Sequence, residues 1–367
     1  MSSYLKNAWY VAAWASEVGR HLLRRLIMDQ SILLFRKQDG TAVAMSNRCA
    51  HRFGPLHLGK LEGDTVTCPY HGLGYDGSGK CVLNPNGNQA VPRGVRVATY
   101  PLVERYGALW IWPGDPNRAD AARIPDVSYL DDPTRWKPVK GTIGVRANYR
   151  YVIDNLVDSG HLLTVHPGTL ASEQVARGMD TTEEEGDTIW SKLLCPPGKP
   201  NPIWEGIWLS QRGPLPGPMD HWADSGWTPG ATIRQVIGIA PAGQPREQGI
   251  TTLSCHLLTP QTEQKTHYFW AICRSFQLDN AQLDEKMRMG AERTFIDQDE
   301  RLLSAVQETV GDQDFWEMRP RLVLTSDVTA GRIRRRMDEL LKGEAEMNEH
   351  PFARGLADAA SATARPS

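Results

Sequence analysis

The sequence predicts an α+β fold in two domains, and three observations carry that prediction. Up to roughly residue 115 the chain is a succession of short apolar runs separated by turn residues. Between Ile233 and Phe276 it carries three longer strand-like runs, and from Leu283 to Val310 the apolar period becomes helical. A length of 367 residues also exceeds the size at which one hydrophobic core keeps growing.

Each element has a local reason. The run from Trp9 to Ala15 reads as a first strand and its turn. Ser31–Phe35 and Ala42–Met45 flank Asp39-Gly40, a strong hairpin signal. Tyr106–Trp112 reads as another strand, stopped by Pro113-Gly114-Asp115-Pro116. Polar residues follow to about Pro133, which places the domains at 1–130 and 131–350. Tyr151–Val165 reads as a helix ending before Pro167, because the residue preceding a proline is pushed out of the α region. Ser326–Leu341 is a last helix, and residues 351–367, rich in Ala, Ser and Thr, form an unstructured tail. No internal repeat occurs at solenoid or propeller periods.

Composition narrows the function. Lys and Arg number 41 against 43 acids, so a net charge of −2 gives no pull toward nucleic acid or an anionic membrane. No apolar stretch reaches the length of a membrane span, and the start lacks the apolar core of a signal peptide. Six cysteines, at 49, 68, 81, 195, 255 and 273, are too few for a disulfide scaffold. Only the first two stand in a ligand-like spacing; the other four read as inert, buried thiols in a reducing cytoplasm.

Cys49-Ala50-His51 and Cys68-Pro69-Tyr70-His71 form a C-x-H … C-x-x-H pair. Two thiolates and two imidazoles can hold zinc, or a [2Fe–2S] cluster with cysteines on one iron and histidines on the other. Zinc fingers group Cys with Cys and His with His, whereas here each loop supplies one of each. Both flanks, Arg52-Phe53-Gly54-Pro55 and Gly72-Leu73-Gly74, are turn-rich. The pair resembles the Rieske motif, whose second loop commonly reads C-P-x-H-G. His57 lies close by without a spacing partner and reads as a surface histidine.

A second constellation spans Asp154 to Pro167 and contains His161 and His166. Five residues apart, these imidazoles would diverge on a continuous helix of 3.6 residues per turn. The proline after His166 ends the helix and lets the second ring swing back. A 2-His-1-carboxylate set would leave iron positions open, and two aspartates compete for the third place. Phe295, Ile296, Leu302, Leu303 and Val306 stand at −4, −3, +3, +4 and +7 from Asp299, which puts Asp299 in the apolar stripe. Asp297 shares its face with Arg293, Glu300, Arg301 and Ser304, a solvated side. A carboxylate in the stripe is costly unless paired or metal-bound, so Asp299 is the favoured ligand.

With these residues in view, the sequence resembles the Rieske non-haem iron oxygenases, in particular the vanillate and dicamba O-demethylase group. The resemblance begins at Lys6-Asn7-Ala8-Trp9-Tyr10-Val11-Ala12 and runs through both motifs. It takes in Asp154–Asp158, His161, His166–Thr169, Cys255–Glu263 and His267-Tyr268-Phe269. Where the family usually reads Glu-Asp and a basic residue, this chain reads Gln298-Asp299-Glu300. The resemblance implies a Rieske β-sandwich followed by a helix-grip catalytic domain, a [2Fe–2S] cluster on Cys49, His51, Cys68 and His71, and mononuclear Fe(II) on His161, His166 and Asp299. It implies a homotrimer, in which Asp158 bonds His161 and reaches His71 of the partner subunit. Asn155 matches a position near the iron.

The implied activity is that of a terminal oxygenase. It would use O2 and electrons from a separate NAD(P)H-dependent reductase or ferredoxin to oxidise a substituted aromatic acid. If the substrate is an aryl methyl ether, hydroxylating the methyl gives a hemiacetal that collapses to a phenol and formaldehyde. His256, and Gln235 on the preceding strand, are candidate substrate contacts. Trp204, Trp208, Trp222 and Trp270 suit either an aromatic pocket or the core. Arg332, Arg334, Arg335 and Arg336 suit a reductase dock or a solvated helix face. A ring-hydroxylating dioxygenase with the same irons, and a Rieske electron carrier, remain the alternatives.

Overall fold

A computed structural model describes residues 4–91, 93–313, 317–318 and 320–349. The tail expected at 351–367 lies outside the described residues. The chain divides into two compact units. One runs to Ile124 and includes the chain from Met337; the other is Pro125–Arg336.

The first unit is built of small antiparallel sheets. Its strands are β1 (Tyr10–Trp14), β2 (Leu23–Ile27), β3 (Gln30–Arg36), β4 (Ala42–Ser46), β5 (Lys60–Glu62), β6 (Thr65–Thr67), β7 (Gly74–Tyr75), β8 (Cys81–Leu83), β9 (Leu102–Arg105) and β10 (Ala108–Ile111). They pair as β1-β10-β9, β2-β3-β4 and β5-β6-β7-β8. The Asp39-Gly40 hairpin forms as expected, with Phe35 opposite Val43 and Gly40 at φ +85°. Its inward residues Leu33, Phe35, Val43 and Met45 share a core with Cys49, Cys68 and Tyr75.

The expected strand Tyr106–Trp112 starts two residues later. Tyr106 and Gly107 are the turn of a hairpin, at φ +58° and +68°, and Arg105 pairs with Ala108. Two positive φ values in a two-residue loop match the right-handed twist of the strands it joins. The last helix returns to this unit, where the Glu344 carboxylate accepts the backbone N–H groups of Lys6 and Asn7 at 3.1 and 2.6 Å.

The second unit is one seven-stranded antiparallel sheet with helices. Its strands are β11 (Lys137–Val145), β12 (Met179–Glu185), β13 (Thr188–Gly198), β14 (Met219–Thr228), β15 (Thr232–Pro241), β16 (Ile250–Thr262) and β17 (Lys265–Arg274). The three runs expected between residues 233 and 276 are β15, β16 and β17. The order is β11-β17-β16-β15-β14-β13-β12, so the first two strands of the sheet form its opposite edges. The segment between them must therefore cross the sheet. It carries α1 (Tyr149–Val157), α2 (Leu162–Val165) and α3 (Glu173–Ala176), and α1 packs against β14 and β16. That crossing holds a helix over the strands' inward side chains.

The helix expected over Tyr151–Val165 is thus two helices. Asp158 is extended (φ −90°, ψ 126°), and its carboxylate accepts the N–H groups of Gly160 at 2.8 Å and His161 at 3.1 Å. An aspartate that bonds the backbone two and three residues on competes with helix continuation. Beyond α4 (Pro202–Arg212), a continuous helical run spans α5 (Ala281–Glu292), a π-helical stretch (Arg293–Glu300) and α6 (Arg301–Val310). Gly311 ends it at φ +64°. The last helix, α7 (Asp327–Glu349), is longer than expected.

Candidate functional site

The two Cys/His loops of the first unit share one construction. In each, the cysteine carbonyl accepts the N–H four residues on (Phe53 at 3.0 Å, Gly72 at 3.0 Å). The cysteine N–H in turn donates to the carbonyl five residues on (Gly54 at 2.9 Å, Leu73 at 2.8 Å). Phe53 and Gly72, the matching positions, both have left-handed φ, +55° and +74°. The loops press together at Gly54, where a Cβ would stand 3.0 Å from Cys68 Sγ. Cys49 and Cys68 are buried, while the His51 and His71 rings lie at the surface with centroids 4.6 Å apart. The Ala50 N–H donates to the Tyr75 oxygen at 3.1 Å, leaving the Tyr75 O–H to donate to Cys49 Sγ, also at 3.1 Å. A buried thiolate pair and an outward imidazole pair fit a cluster with sulfur ligands on the inner iron and nitrogen ligands on the outer.

The second unit gathers a different donor set. Among the described residues, His161, His166 and Asp299 bring their ligand atoms within 4.8 Å of one another. Asp299 Oδ1 lies 3.2 Å from His166 Nε2 and 3.7 Å from His161 Nε2, and the two rings are 5.2 Å apart. The convergence follows from the broken helix: His161 opens α2 and His166 closes it, so neither sits on a long regular turn. An outer hydrogen bond fixes the His166 ring, and a carboxylate stands near the His161 ring. His166 Nδ1–H donates to Gln298 Oε1 at 2.8 Å, and His161 Nδ1 stands 3.4 Å from Asp158 Oδ2. The His166 Nε2 lone pair is thereby left to face Asp299. Burial alone would lower the His166 pKa, yet Asp299 and Gln298 hold it above the usual value. Burial raises that of Asp158, but His161, the Gly160 amide and Ser326 outweigh it and hold the carboxyl below the usual range. Two imidazoles and a carboxylate competing for one positive charge are a donor set suited to Fe(II) with open positions.

Of the two competing aspartates, Asp299 is 7% exposed and Asp297 lies on the exposed side. Ile296 and Leu302, expected to share the face of Asp299, are exposed instead; the buried face is Asp299, Leu303, Ser304 and Gln307. The π-helical stretch carries more residues per turn than the 3.6 assumed, which rotates that face. Asn155 Nδ2 donates to Asp299 Oδ1 at 3.4 Å, so Asn155 adjoins the triad.

A cavity of about 130 Å³ opens beside the triad, close to the size that admits a benzene ring. Its walls include the α1–α2 segment, inward residues of β13–β16 and the π-helical stretch. His256 and Gln235 both line it, as the pairing of Gln235 with Ser254 requires. They are bonded to each other: His256 Nε2–H donates to Gln235 Oε1 at 2.8 Å, and the Tyr268 O–H donates to His256 Nδ1 at 2.6 Å. The Gln235 amide reaches Ser225 Oγ at 3.0 Å, and burial lowers the His256 pKa to about 3. Sequence reasoning missed His221, which lines the cavity with Ala223 and Ser225; their period-two spacing on β14 is the signal that could have found it.

Comparison with known proteins fixes the family. A Rieske [2Fe-2S] domain matches residues 8–101, and the vanillate O-demethylase oxygenase C-terminal domain matches residues 145–343. The chain belongs to the Rieske oxygenases of the vanillate O-demethylase type. Among its relatives is the oxygenase component of chloroacetanilide N-alkylformylase from Rhizorhabdus wittichii, 37% identical over 93% of this chain and 97% of that one. The oxygenase component of dicamba O-demethylase from Stenotrophomonas maltophilia is 36% identical over 94% and 99%. The crystal structure of dicamba monooxygenase bound to dicamba superposes with a TM-score of 0.85 at 34% identity, covering 94% of this chain and 99% of that one.

This oxygenase is a non-haem iron enzyme carrying a Rieske [2Fe–2S] cluster and a mononuclear iron, as in the family. The other expectations about its residues divide. Of the four tryptophans, Trp204 lines the cavity, while Trp208 packs in the core beneath α4. Arg334 is buried against Asp154 rather than presented on a helix face, because the carboxylate on α1 offers it two acceptors. Arg332 and Arg336 pair with Glu184 and Asp187. His57 is half-buried and bonded to Asn47 rather than free at the surface. No helix among the described residues is long and apolar enough to cross a membrane.

Proposed function

We propose that this oxygenase is the terminal component of a cytoplasmic monooxygenase that removes an alkyl group from a heteroatom on an aromatic substrate, by O-demethylation in the first instance. A separate NAD(P)H-dependent reductase or ferredoxin would supply the electrons. The observation that carries the reading is the His161/His166/Asp299 triad opening onto a cavity of benzene size. Relatives named dicamba O-demethylase and chloroacetanilide N-alkylformylase support the substrate class. We assign the cluster to Cys49, His51, Cys68 and His71, and the mononuclear iron to the triad. When bound, the cluster relays single electrons and the mononuclear iron activates O2.

The chain's own groups do the rest. Gln298 sets the tautomer of His166 and aims its Nε2, and Asp158 stands 3.4 Å from His161 Nδ1. Asn155 steadies the Asp299 carboxylate. His256, Gln235 and Ser225, backed by Tyr268, form a hydrogen-bonded wall against which a ring can be placed. Insertion of one oxygen atom into a methyl C–H bond yields a hemiacetal, whose collapse releases formaldehyde and the phenol. The assembly is a homotrimer in which Asp158 reaches His71 of the partner subunit. The 73% exposure of Phe53 and 59% of Tyr70, both on the cluster loops, supports a covered face there.

The test joins iron quantitation and EPR with product analysis. Dithionite-reduced protein is expected to show a rhombic Rieske signal and, with nitric oxide, a high-spin ferrous–nitrosyl signal. His161→Ala should lose the second signal and all turnover and keep the first. Formaldehyde from aryl methyl ethers supports monooxygenation; a cis-diol product would make the enzyme a ring-hydroxylating dioxygenase. Unchanged turnover in His161→Ala would overturn the site.

A further inference from the structure

The cavity has a further polar group outside the triad, on β14. His221 is 3% exposed and lines the cavity, and neither ring nitrogen has a hydrogen-bond partner among the described residues. An imidazole buried without partners is costly, because each ring nitrogen has given up a bond to water. Asn201, which also lines the cavity, is already engaged. It donates to the Leu170 carbonyl at 3.2 Å and accepts the Trp204 N–H at 3.1 Å. His256, the other cavity histidine outside the triad, has both nitrogens bonded within the wall.

Position separates the two. His221 stands four residues along β14 from Ser225, roughly 13 Å at strand rise, and Ser225 is the partner of Gln235 beside His256. Trp204 of α4 lies next to His221, with ring centroids 6.2 Å apart. Among the described residues lining the cavity there is no lysine or arginine. Burial lowers the His221 pKa to about 4, so the ring is neutral at physiological pH, with one N–H donor and one lone pair.

We propose that His221 is a specificity-determining residue: its ring N–H donates to a carbonyl or carboxylate oxygen on a ring substituent of the substrate other than the alkyl group being removed. The proposal rests on the reading of this cavity as the substrate site of a dealkylating oxygenase and adds what the substrate must carry. An aromatic compound bearing an amide or carboxylate in addition to its alkoxy or alkylamino group satisfies both requirements. A plain hydrocarbon substituent leaves the imidazole buried and unbonded, and is selected against.

The test is equilibrium binding to the iron-loaded enzyme by calorimetry, without reductant. The probes are the meta and para isomers of methoxybenzamide and methoxybenzoate, with methylanisole as the matched compound lacking the acceptor. The wild type is expected to bind at least one acceptor-bearing probe about ten-fold or more tightly than the methylanisole isomer. In His221→Leu that ratio should collapse toward unity, and in His221→Gln, which keeps a donor, most of it should return. The ratio within one variant cancels any loss of folded protein. Equal binding of all probes by the wild type, or an unchanged ratio in His221→Leu, overturns the proposal. The amide-to-benzoate ratio identifies whether the acceptor is neutral or charged. Supplying reductant separates the two readings. Binding ratios that shift without any formaldehyde release would leave His221 standing and sink the dealkylation.

Discussion

Arg334 grips Asp154 through two hydrogen bonds, Nε to Oδ1 at 3.1 Å and Nη2 to Oδ2 at 2.6 Å, and its guanidinium lies 5.8 Å from the Tyr151 ring. The pair ties α7 to α1, the helix that leads into the His161/His166 turn. Both side chains are largely buried, at 7% and 13% exposure. Removing one partner of such a pair costs about 3–5 kcal/mol, mostly through the charge left behind, whereas replacing both by apolar groups costs little. Arg334→Met is therefore expected to lower the urea midpoint and the mononuclear iron content while the Rieske signal persists. Arg334→Met with Asp154→Leu should recover most of the stability. Equal loss in the single and double variants would show that the pair does not hold α1.

Gln298, which stands where the family resemblance leads one to expect Glu, has a side chain with a defined task. Its carbonyl takes the His166 Nδ1 proton at 2.8 Å and so leaves the Nε2 lone pair on the side of Asp299. Outer partners of metal-bound histidines change affinity by about 10–100-fold when removed. Gln298→Leu should weaken mononuclear iron retention by about ten-fold or more against a chelator. The cluster content should not change. Retention equal to wild type would mean that packing alone orients His166.

Tyr75 offers a separate handle on the cluster. Its hydroxyl is placed to donate to Cys49 Sγ at 3.1 Å while accepting the Ala50 N–H. Burial, and then the Cys49 bond, push the phenol well above its usual pKa, so it remains a donor at neutral pH. A donor to a ligand sulfur favours the reduced, more negative cluster. Tyr75→Phe is expected to lower the reduction potential by on the order of 50 mV, about 1 kcal/mol for one electron. Direct voltammetry of the two proteins would show it, and no shift would exclude the bond.

Much of this was legible in the sequence because short-range chemistry wrote it there. Cys49, His51, Cys68 and His71 announce themselves by spacing, and the hairpin at Asp39-Gly40 by its turn residues. The choice between Asp297 and Asp299 came from helical periodicity, although Ile296 and Leu302 proved exposed. A π-helical stretch has no residue signature of its own, so a 3.6-residue count drifts across it. The break at Asp158 was hidden for a related reason: a helical pattern continues on both sides, and only the carboxylate's bonds to Gly160 and His161 end the first helix. His221 and the burial of Arg334 depend on residues far away in sequence, on β13, β15 and α1, and no local pattern reports them.

The buried imidazole of His221 also makes a statement about stability and pH. Its pKa falls from 6.5 to about 4 on folding, through burial, whereas in the unfolded chain it titrates normally. Above pH 6.5 both states carry a neutral ring and the shift has no effect. As pH falls from 6.5 toward 4 the unfolded chain takes up a proton that the folded protein refuses, so stability is lost. The slope reaches about 1.4 kcal/mol per pH unit at most, and flattens below the folded value. His221→Leu removes this proton uptake. Its stability relative to wild type should therefore improve from about pH 6.5 down to pH 4, whatever the variant costs in packing at pH 7. Urea unfolding of both proteins across that range measures the gap. A gap independent of pH would mean that the folded imidazole protonates normally, and hence that water reaches it.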